Sequence, residues 1–233
     1  MSRAILILIG LFASVSSTLY AGDKKGQSIA IVFRPLYNGK EIFDTSGTSP
    51  LVSGDTFSID QIRFYCSDLC LLNGEDVVWH DKEKSHLVDA GNSGTLHVNL
   101  PGAGRKYFTS VRFNLGIDST TNVSGVLGGD LDPAKGMYWT WQSGYINLKI
   151  EGICSKCDGR KYRLHLGGYA GENATIQSVS IPMLPGDREF VIGIETSEIL
   201  HSVRDGYTCS IMIPGKQAVE LSALAAKMFM PLK

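Results

Sequence analysis

One short stretch contains several of the side chains in this sequence that could take part in a binding site. Residues 131–145 contain two of the three tryptophans, Trp139 and Trp141, together with Met137. Side chains two residues apart in a strand share a face, so these three would point the same way. Large aromatic side chains usually supply buried area, which favours the plug of a β-sandwich core. The same stretch could instead be an exposed aromatic platform.

The residue sequence of this stretch is more specific than a hydrophobic core requires. Asp132-Pro-x-x-Gly-Met-Tyr-Trp-Thr-Trp-Gln-Ser-Gly-Tyr145, followed by Leu148-Lys-Ile-Glu-Gly152, resembles the signature of the methanobactin-associated copper-binding proteins, the MbnP-like family. Three further segments are similar to segments of that family: 85–89, 111–117 and 163–167. The resemblance covers most of the chain after its first 21 residues.

The resemblance implies an exported protein that binds one copper ion for capture or handover at the cell envelope. It implies that His86, in the His-Leu-Val-Asp segment, meets residues of the tryptophan signature. It also implies that Trp139, or alternatively Trp141, is oxidised to kynurenine, whose aniline nitrogen joins the site. A dihaem peroxidase-like enzyme is the implied partner that carries out this oxidation.

One position departs from the family pattern. Some relatives have a second histidine two residues before the modified tryptophan, where this chain has Met137. A pair of imidazole and thioether donors favours Cu(I) over Cu(II) because the thioether is soft. His165, in a similar His-Leu-Gly segment, could replace the missing imidazole, and His201 is a further candidate. The predicted metal-site residues are therefore His86, Met137, Trp139 and His165, followed by Trp141 and His201.

Five cysteines in an exported chain need partners or burial. Cys66 and Cys70 would have Cα atoms about 13 Å apart in an extended strand, beyond the roughly 7 Å that a disulfide spans. Cys154 and Cys157 lie between two predicted strands. These four are candidates for structural disulfides, for two halves of one metal site, or for free thiols. Cys209 is then left over as a buried thiol.

The first 21 residues have the pattern of a secretory signal. Arg3 precedes an apolar run over 5–15, too short to span a bilayer, and cleavage fits after Ala21. Residues 22–233 then form one domain, which we expect to be periplasmic, secreted or on the cell surface. A formal net charge of −1 removes the electrostatic basis for binding nucleic acid.

The rest of the chain predicts an all-β fold. About ten short antiparallel strands alternate with turns rich in Gly, Pro and Asn, which is typical of a β-sandwich. Residues 217–229 have helix formers and helical apolar spacing, so one C-terminal helix is expected. Residues 117–136 form a long polar, Gly-rich connection that leads into the signature, and loops of that length are usually functional or disordered.

No enzyme motif accompanies these features. The sequence has no Gly-x-Ser-x-Gly elbow, no phosphate loop and no His-Glu-x-x-His pair. We therefore expect a binding protein rather than an enzyme. The alternatives are a metal-free module that recognises carbohydrate or protein through residues 138–145, and a purely structural envelope protein.

Overall fold

A computed structural model describes residues 28–43, 57–140, 144–183 and 189–232. The predicted signal peptide lies outside these ranges. The strands are β1 (Ile29–Tyr37), β2 (Lys40–Glu41), β3 (Gln61–Asn73), β4 (Asp76–His80), β5 (Ser85–Asp89), β6 (His97–Leu100), β7 (Ser110–Leu115), β8 (Tyr138–Trp139), β9 (Gly144–Ile153), β10 (Lys161–Gly167), β11 (Gln177–Pro182), β12 (Glu189–Glu195), β13 (Ser210–Ile211) and β14 (Phe229–Leu232). The helices are α1 (Ser119–Val123), α2 (His201–Arg204) and α3 (Lys216–Ala225).

The strands form two sheets. The smaller has the order β14-β12-β1-β2, with β6 also paired to β1. The larger has the order β11-β7-β3-β9-β10-β13, with β4 and β5 paired to β3 and β8 paired to β9. Most pairs are antiparallel, but β1–β12 and β10–β13 are parallel. The inner face of the larger sheet packs on the smaller one, and its outer face points away.

An aromatic cluster joins the two sheets. Phe33 of β1 makes edge-to-face contacts with Phe64 of β3 and Phe113 of β7, at ring-centroid distances of 5.3 and 6.0 Å. Phe229 of β14 packs on the same three rings. Such pairs stabilise a core by more than their buried area alone. This cluster completes the β-sandwich that the strand pattern predicts.

The C-terminal helix is also present as predicted. α3 continues as a 3-10 turn over Ala226–Met228, and its buried side chains include the small residues Ala218, Ser222 and Ala225. Small side chains let the helix backbone lie close to β10. No helix in the described ranges is long and apolar enough to cross a membrane. The predicted fold class, a β-sandwich with one C-terminal helix, is confirmed.

A β-bulge separates two of the cysteines. The register between β3 and β7 shifts by one residue between Ser67 and Cys70, and Asp68 has a φ of 52°. The extra residue reverses which side chains point inward. Cys66 therefore lies on the inner face in the main core, whereas Cys70 lies on the outer face. Both are buried free thiols, so the prediction that they form structural disulfides is wrong.

The disulfide joins Cys157 to Cys209 instead. Cys154, three residues before Cys157 in the β9–β10 turn, is a buried free thiol. The prediction that Cys154 pairs and that Cys209 is left over is therefore wrong. The bond ties the tip of the β9–β10 hairpin to the segment just before β13, because the parallel β10–β13 pair brings these two segments together. That proximity is a tertiary property that cysteine spacing does not contain.

Candidate metal centre

Met137 and Trp139 of the tryptophan signature lie on the outer face of the larger sheet. Residues 117–139, here called the cover segment, cross this face and enter β8. A second apolar cluster forms beneath them, and it is separate from the main core. Its members are Tyr65, Leu87, Ile117, Leu131, Met137, Trp139, Tyr145 and Ile146. The long connection that lacked a core pattern in the sequence is thus a packed part of the fold.

Hydrogen bonds from the sheet hold the middle of the cover segment. Asp130 is central, since its Oδ2 accepts from the backbone N–H of Leu87 at 2.9 Å and its Oδ1 pairs with Lys135 Nζ at 2.6 Å. The Tyr65 hydroxyl donates to the Asp130 carbonyl at 3.2 Å. The Tyr145 hydroxyl donates to the Leu131 carbonyl at 3.1 Å.

A buried asparagine anchors the start of the cover segment. The Asn122 amide Oδ1 accepts from the backbone N–H of Tyr145 at 2.9 Å, and its Nδ2 donates to the Ile117 carbonyl at 3.0 Å. Because both the oxygen and the nitrogen of its side-chain amide are hydrogen-bonded, Asn122 joins α1 to the start of β9. A buried amide satisfied on both sides fixes a loop more firmly than apolar contact alone.

Two cations hold the end of the cover segment. Arg63 of β3 donates to the Lys135 carbonyl at 3.1 Å, and its Nε pairs with Asp89 at 2.7 Å. Lys149 of β9 donates to the Gly136 carbonyl at 2.7 Å. Burial lowers the pKa of Lys149. These contacts fix the turn from which Met137 and Trp139 enter the sheet.

The strand register continues this polar row to a histidine. Asp89 lies opposite Arg63, Arg63 opposite Lys149, and Lys149 opposite His165 of β10. His165 is 6% exposed. Its Nε2 lies 2.6 Å from Glu151 Oε1. A carboxylate only accepts hydrogen bonds, so the proton of the neutral imidazole belongs on Nε2.

The other ring nitrogen of His165 is left as a bare lone pair. Nδ1 is buried and has no hydrogen-bond partner among the described residues. Burial lowers the pKa of His165, the hydrogen bond with Glu151 opposes this effect, and the Lys149 cation adds to it. A buried, unpaired acceptor is costly in a folded protein. A metal ion that binds Nδ1 would remove that cost, and a carboxylate on the second nitrogen is the usual support for such a ligand.

Trp139 lies on the same face of β10 as His165. A Cβ added to Gly167, two residues beyond His165, would lie 2.7 Å from Trp139 Cζ3. Trp139 is 6% exposed. It borders a small open cavity of about 110 Å³ that is also lined by Gly144, Gly168, Tyr169, Ala170, Asn173 and Pro214. A small molecule can therefore approach the indole from this cavity.

Replacing Gly167 with alanine tests how closely the Trp139 indole packs against β10. The methyl group would overlap Trp139, so we expect a loss of about 1–3 kcal/mol in the free energy of unfolding and a change in tryptophan fluorescence. Urea titration followed by fluorescence measures both. Gly128→Ala is the matched control, because a Cβ there has nothing within 4 Å and φ is −95°. Equal unfolding curves for Gly167→Ala and the control would contradict this packing.

The structure does not bring His86 to this face. Leu87 belongs to the outer cluster and Val88 to the main core, so alternation along β5 turns His86 inward, away from Met137 and Trp139. The Nε2 of His86 lies 2.6 Å from Asp81 Oδ2. His86 therefore does not converge with Met137 or Trp139, the candidate ligands of the signature that lie within the described residues.

The remaining candidates are placed as follows. His201 begins α2, its side chain is 79% exposed, and it pairs with Asp205 at 3.3 Å. Met137 is fully buried in the outer cluster. Trp141 lies outside the described residues. Over the described residues, no group of three or more His, Cys, Asp or Glu side chains is arranged to hold a metal ion.

Sequence reasoning missed the residues that support His165. Glu151 belongs to no recognisable motif in the sequence, although Lys149 and Glu151 alternate on one strand as Arg163 and His165 do on the next. Pairing those strands as a hairpin around residues 154–160 brings Glu151 beside His165. The signal was present in the register of the hairpin, which the local pattern alone does not provide.

These features define a β-sandwich whose outer face carries a clamped tryptophan segment and a buried imidazole supported by a carboxylate. The MbnP family model matches residues 26–209, so the chain belongs to the MbnP family. The solved structure of MbnP from Methylosinus trichosporium is similar in fold. It is 17% identical, with a TM-score of 0.51 over 83% of this chain and 86% of that one. No curated protein matches the sequence.

Proposed function

We propose that the protein is an exported copper-binding protein that captures or hands over Cu(I) at the cell envelope without turning over a substrate. Membership of the MbnP family and the sequence signature support copper as the ligand. One observation carries the proposal: the buried Nδ1 of His165 has no hydrogen-bond partner among the described residues and lies on the face that Trp139 covers.

The proposed donors are a borderline imidazole and a soft thioether. His165 supplies an imidazole nitrogen, and Met137, in the same apolar cluster as Trp139, supplies a thioether sulfur. Such donors suit Cu(I) at low coordination number. Glu151 holds the imidazole in the tautomer that leaves Nδ1 bare. His86 is left out of this donor set because its side chain faces the other side of the sheet.

Oxidation of Trp139 would add a third donor. An indole nitrogen carries only a hydrogen-bond donor, because its lone pair belongs to the aromatic system. Kynurenine has a free aniline nitrogen, so its formation would create a ligand where none existed. A dihaem peroxidase-like partner is the proposed catalyst, with peroxide as the oxidant: oxidation opens the pyrrole ring to N-formylkynurenine, and hydrolysis releases the formyl carbon as formate. The open cavity beside Trp139 and its seat on Gly167 support Trp139 as the modified residue.

Intact mass spectrometry of protein from its native, copper-replete host tests this modification. Conversion of tryptophan to kynurenine exchanges one carbon atom for one oxygen atom, and peptide fragmentation assigns the change to Trp139 or Trp141. We expect the shift on Trp139. An unmodified mass in cells that contain the partner would contradict the kynurenine proposal and leave binding by His165 and Met137 to be measured separately.

The compartment is supported by the disulfide. A bond between Cys157 and Cys209 persists in oxidising environments such as the periplasm or the cell exterior. The signal pattern of residues 1–21 agrees with export. We therefore place the copper site outside the cytoplasm.

The metal-free binding module has less support. Trp139 and Tyr145 are buried and Tyr138 is half-buried, so these side chains do not form an exposed platform. Anaerobic titration of Cu(I) against a colorimetric chelator, with elemental analysis of protein purified without added metal, distinguishes the two functions. Retention of copper by the wild type would support the proposed copper-binding function. Negligible retention would contradict it and favour the metal-free binding module.

A further inference from the structure

A histidine paired with a buried aspartate lies on the inner face of the same sheet. Asp81 has a side chain that is 4% exposed, and its Oδ2 lies 2.6 Å from His86 Nε2. Its Oδ1 accepts from the backbone N–H of Glu83 at 3.1 Å. As with His165, the carboxylate places the imidazole proton on Nε2, so Nδ1 of His86 is the nitrogen with a lone pair to donate.

A free thiol is the cross-strand neighbour of this imidazole. The β3–β5 register sets Cys66 directly opposite His86, on the same face. Residues so paired have Cβ atoms about 4.5–5.5 Å apart. Cys66 is fully buried and is not part of a disulfide. Burial, reinforced by the Asp81 carboxylate, raises the pKa of the Cys66 thiol.

A thiol, an imidazole and a carboxylate together could form either a nucleophile or a metal site. A nucleophile must touch its substrate, and the Cys66 sulfur has no exposed surface. A single metal ion is much smaller than a substrate and does not need an exposed sulfur atom. It can reach the site beside His86, whose side chain is 21% exposed. Thiolate and imidazole donors select soft cations.

We infer that Cys66 and His86 form a second site, which binds one soft monovalent cation such as Cu(I) between them, with Asp81 orienting the imidazole from outside the coordination shell. Binding replaces the thiol proton: the S–H bond breaks, an S–Cu bond forms, and the proton leaves to solvent with no change in oxidation state. Thiolate and Cu(I) cancel in charge, so the core receives a neutral pair.

Anaerobic loading of the intact protein with Cu(I) in acetonitrile tests this site. We expect a near-ultraviolet thiolate-to-copper charge-transfer band and the release of one proton per ion bound at this site. Cys66→Ser should abolish the band and His86→Ala should weaken the binding that produces it. Cys70→Ser is the matched control, since Cys70 is an equally buried free thiol on the opposite face, and it should retain the band.

A fully loaded wild type without the band, or a band that disappears with Cys70→Ser and persists in Cys66→Ser, would overturn the inference. If Cys66→Ser does not fold, the double variant Cys70→Ser, Cys154→Ser leaves Cys66 as the free thiol and should keep the band; its loss is equally decisive. His165→Ala distinguishes the two sites. It should remove outer-face copper and leave the band unchanged, so either site can fail while the other stands.

Discussion

Replacing His165 with alanine is expected to lower the affinity of the outer-face site for Cu(I) by at least about 100-fold. Removing the supporting partner of a ligand typically costs about 10–100-fold in metal affinity, and loss of the ligand itself should cost more. Competition with a colorimetric Cu(I) chelator measures this affinity, with every variant made in a Cys66→Ser background so that the inner-face thiol does not compete for the ion. His97→Ala is the matched control, because His97 is an exposed histidine of β6, and it should bind like the wild type.

The companion variant Glu151→Gln distinguishes the effect of losing the metal ligand from the effect of losing the residue that orients it. It keeps the shape of the side chain but removes the charge that holds the His165 tautomer, so a loss of about 10–100-fold is expected. The expected order of affinity is wild type, then Glu151→Gln, then His165→Ala. A His165→Ala variant that folds and retains wild-type affinity for outer-face copper would refute the proposed site. Circular dichroism establishes whether the variant folds.

The disulfide is expected to have the largest effect on stability. Cys157 and Cys209 are 52 residues apart in sequence. Closing a loop of that length removes enough entropy from the unfolded chain to stabilise the fold by about 4 kcal/mol. The double variant Cys157→Ser, Cys209→Ser should lose that amount, which corresponds to a melting temperature lower by roughly 8–16 °C for a chain of this size.

Urea unfolding with and without dithiothreitol measures this contribution and supplies its own control. Reductant should lower the unfolding midpoint of the wild type and leave that of the double variant unchanged. Because the three free cysteines are already reduced, they do not contribute to the difference. A double variant as stable as the oxidised wild type would show that this bond does not constrain the chain.

Local patterns were sufficient for the class of fold. Alternating strands, closely spaced turns and the spacing of 217–229 predict a sandwich with a C-terminal helix, because strand and helix periods are local properties. The burial of Trp139 and Met137 also follows from their size and apolar character. The resemblance to the family signature could be recognised from the identities of the residues alone.

The pairing of side chains across the sheets was beyond local patterns. A single extra residue at Asp68 turns Cys66 and Cys70 to opposite faces, and it was not apparent from the sequence. The parallel β10–β13 pair brings Cys209 to Cys157. In both cases the outcome depends on register between distant strands, and a shift of one residue changes the face of every side chain that follows.

For the candidate ligands too, part of the answer comes from the sequence and part from the tertiary structure. By itself, the sequence determined which donor types the protein possesses, that Trp139 sits in a special segment, and that the chain has the strands to hold it. Only the tertiary structure decided that His165 shares a face with Trp139 while His86 joins Cys66 on the other side. The physical reason is that a strand sends alternate side chains to opposite faces, and its neighbours in three dimensions determine what each side chain meets.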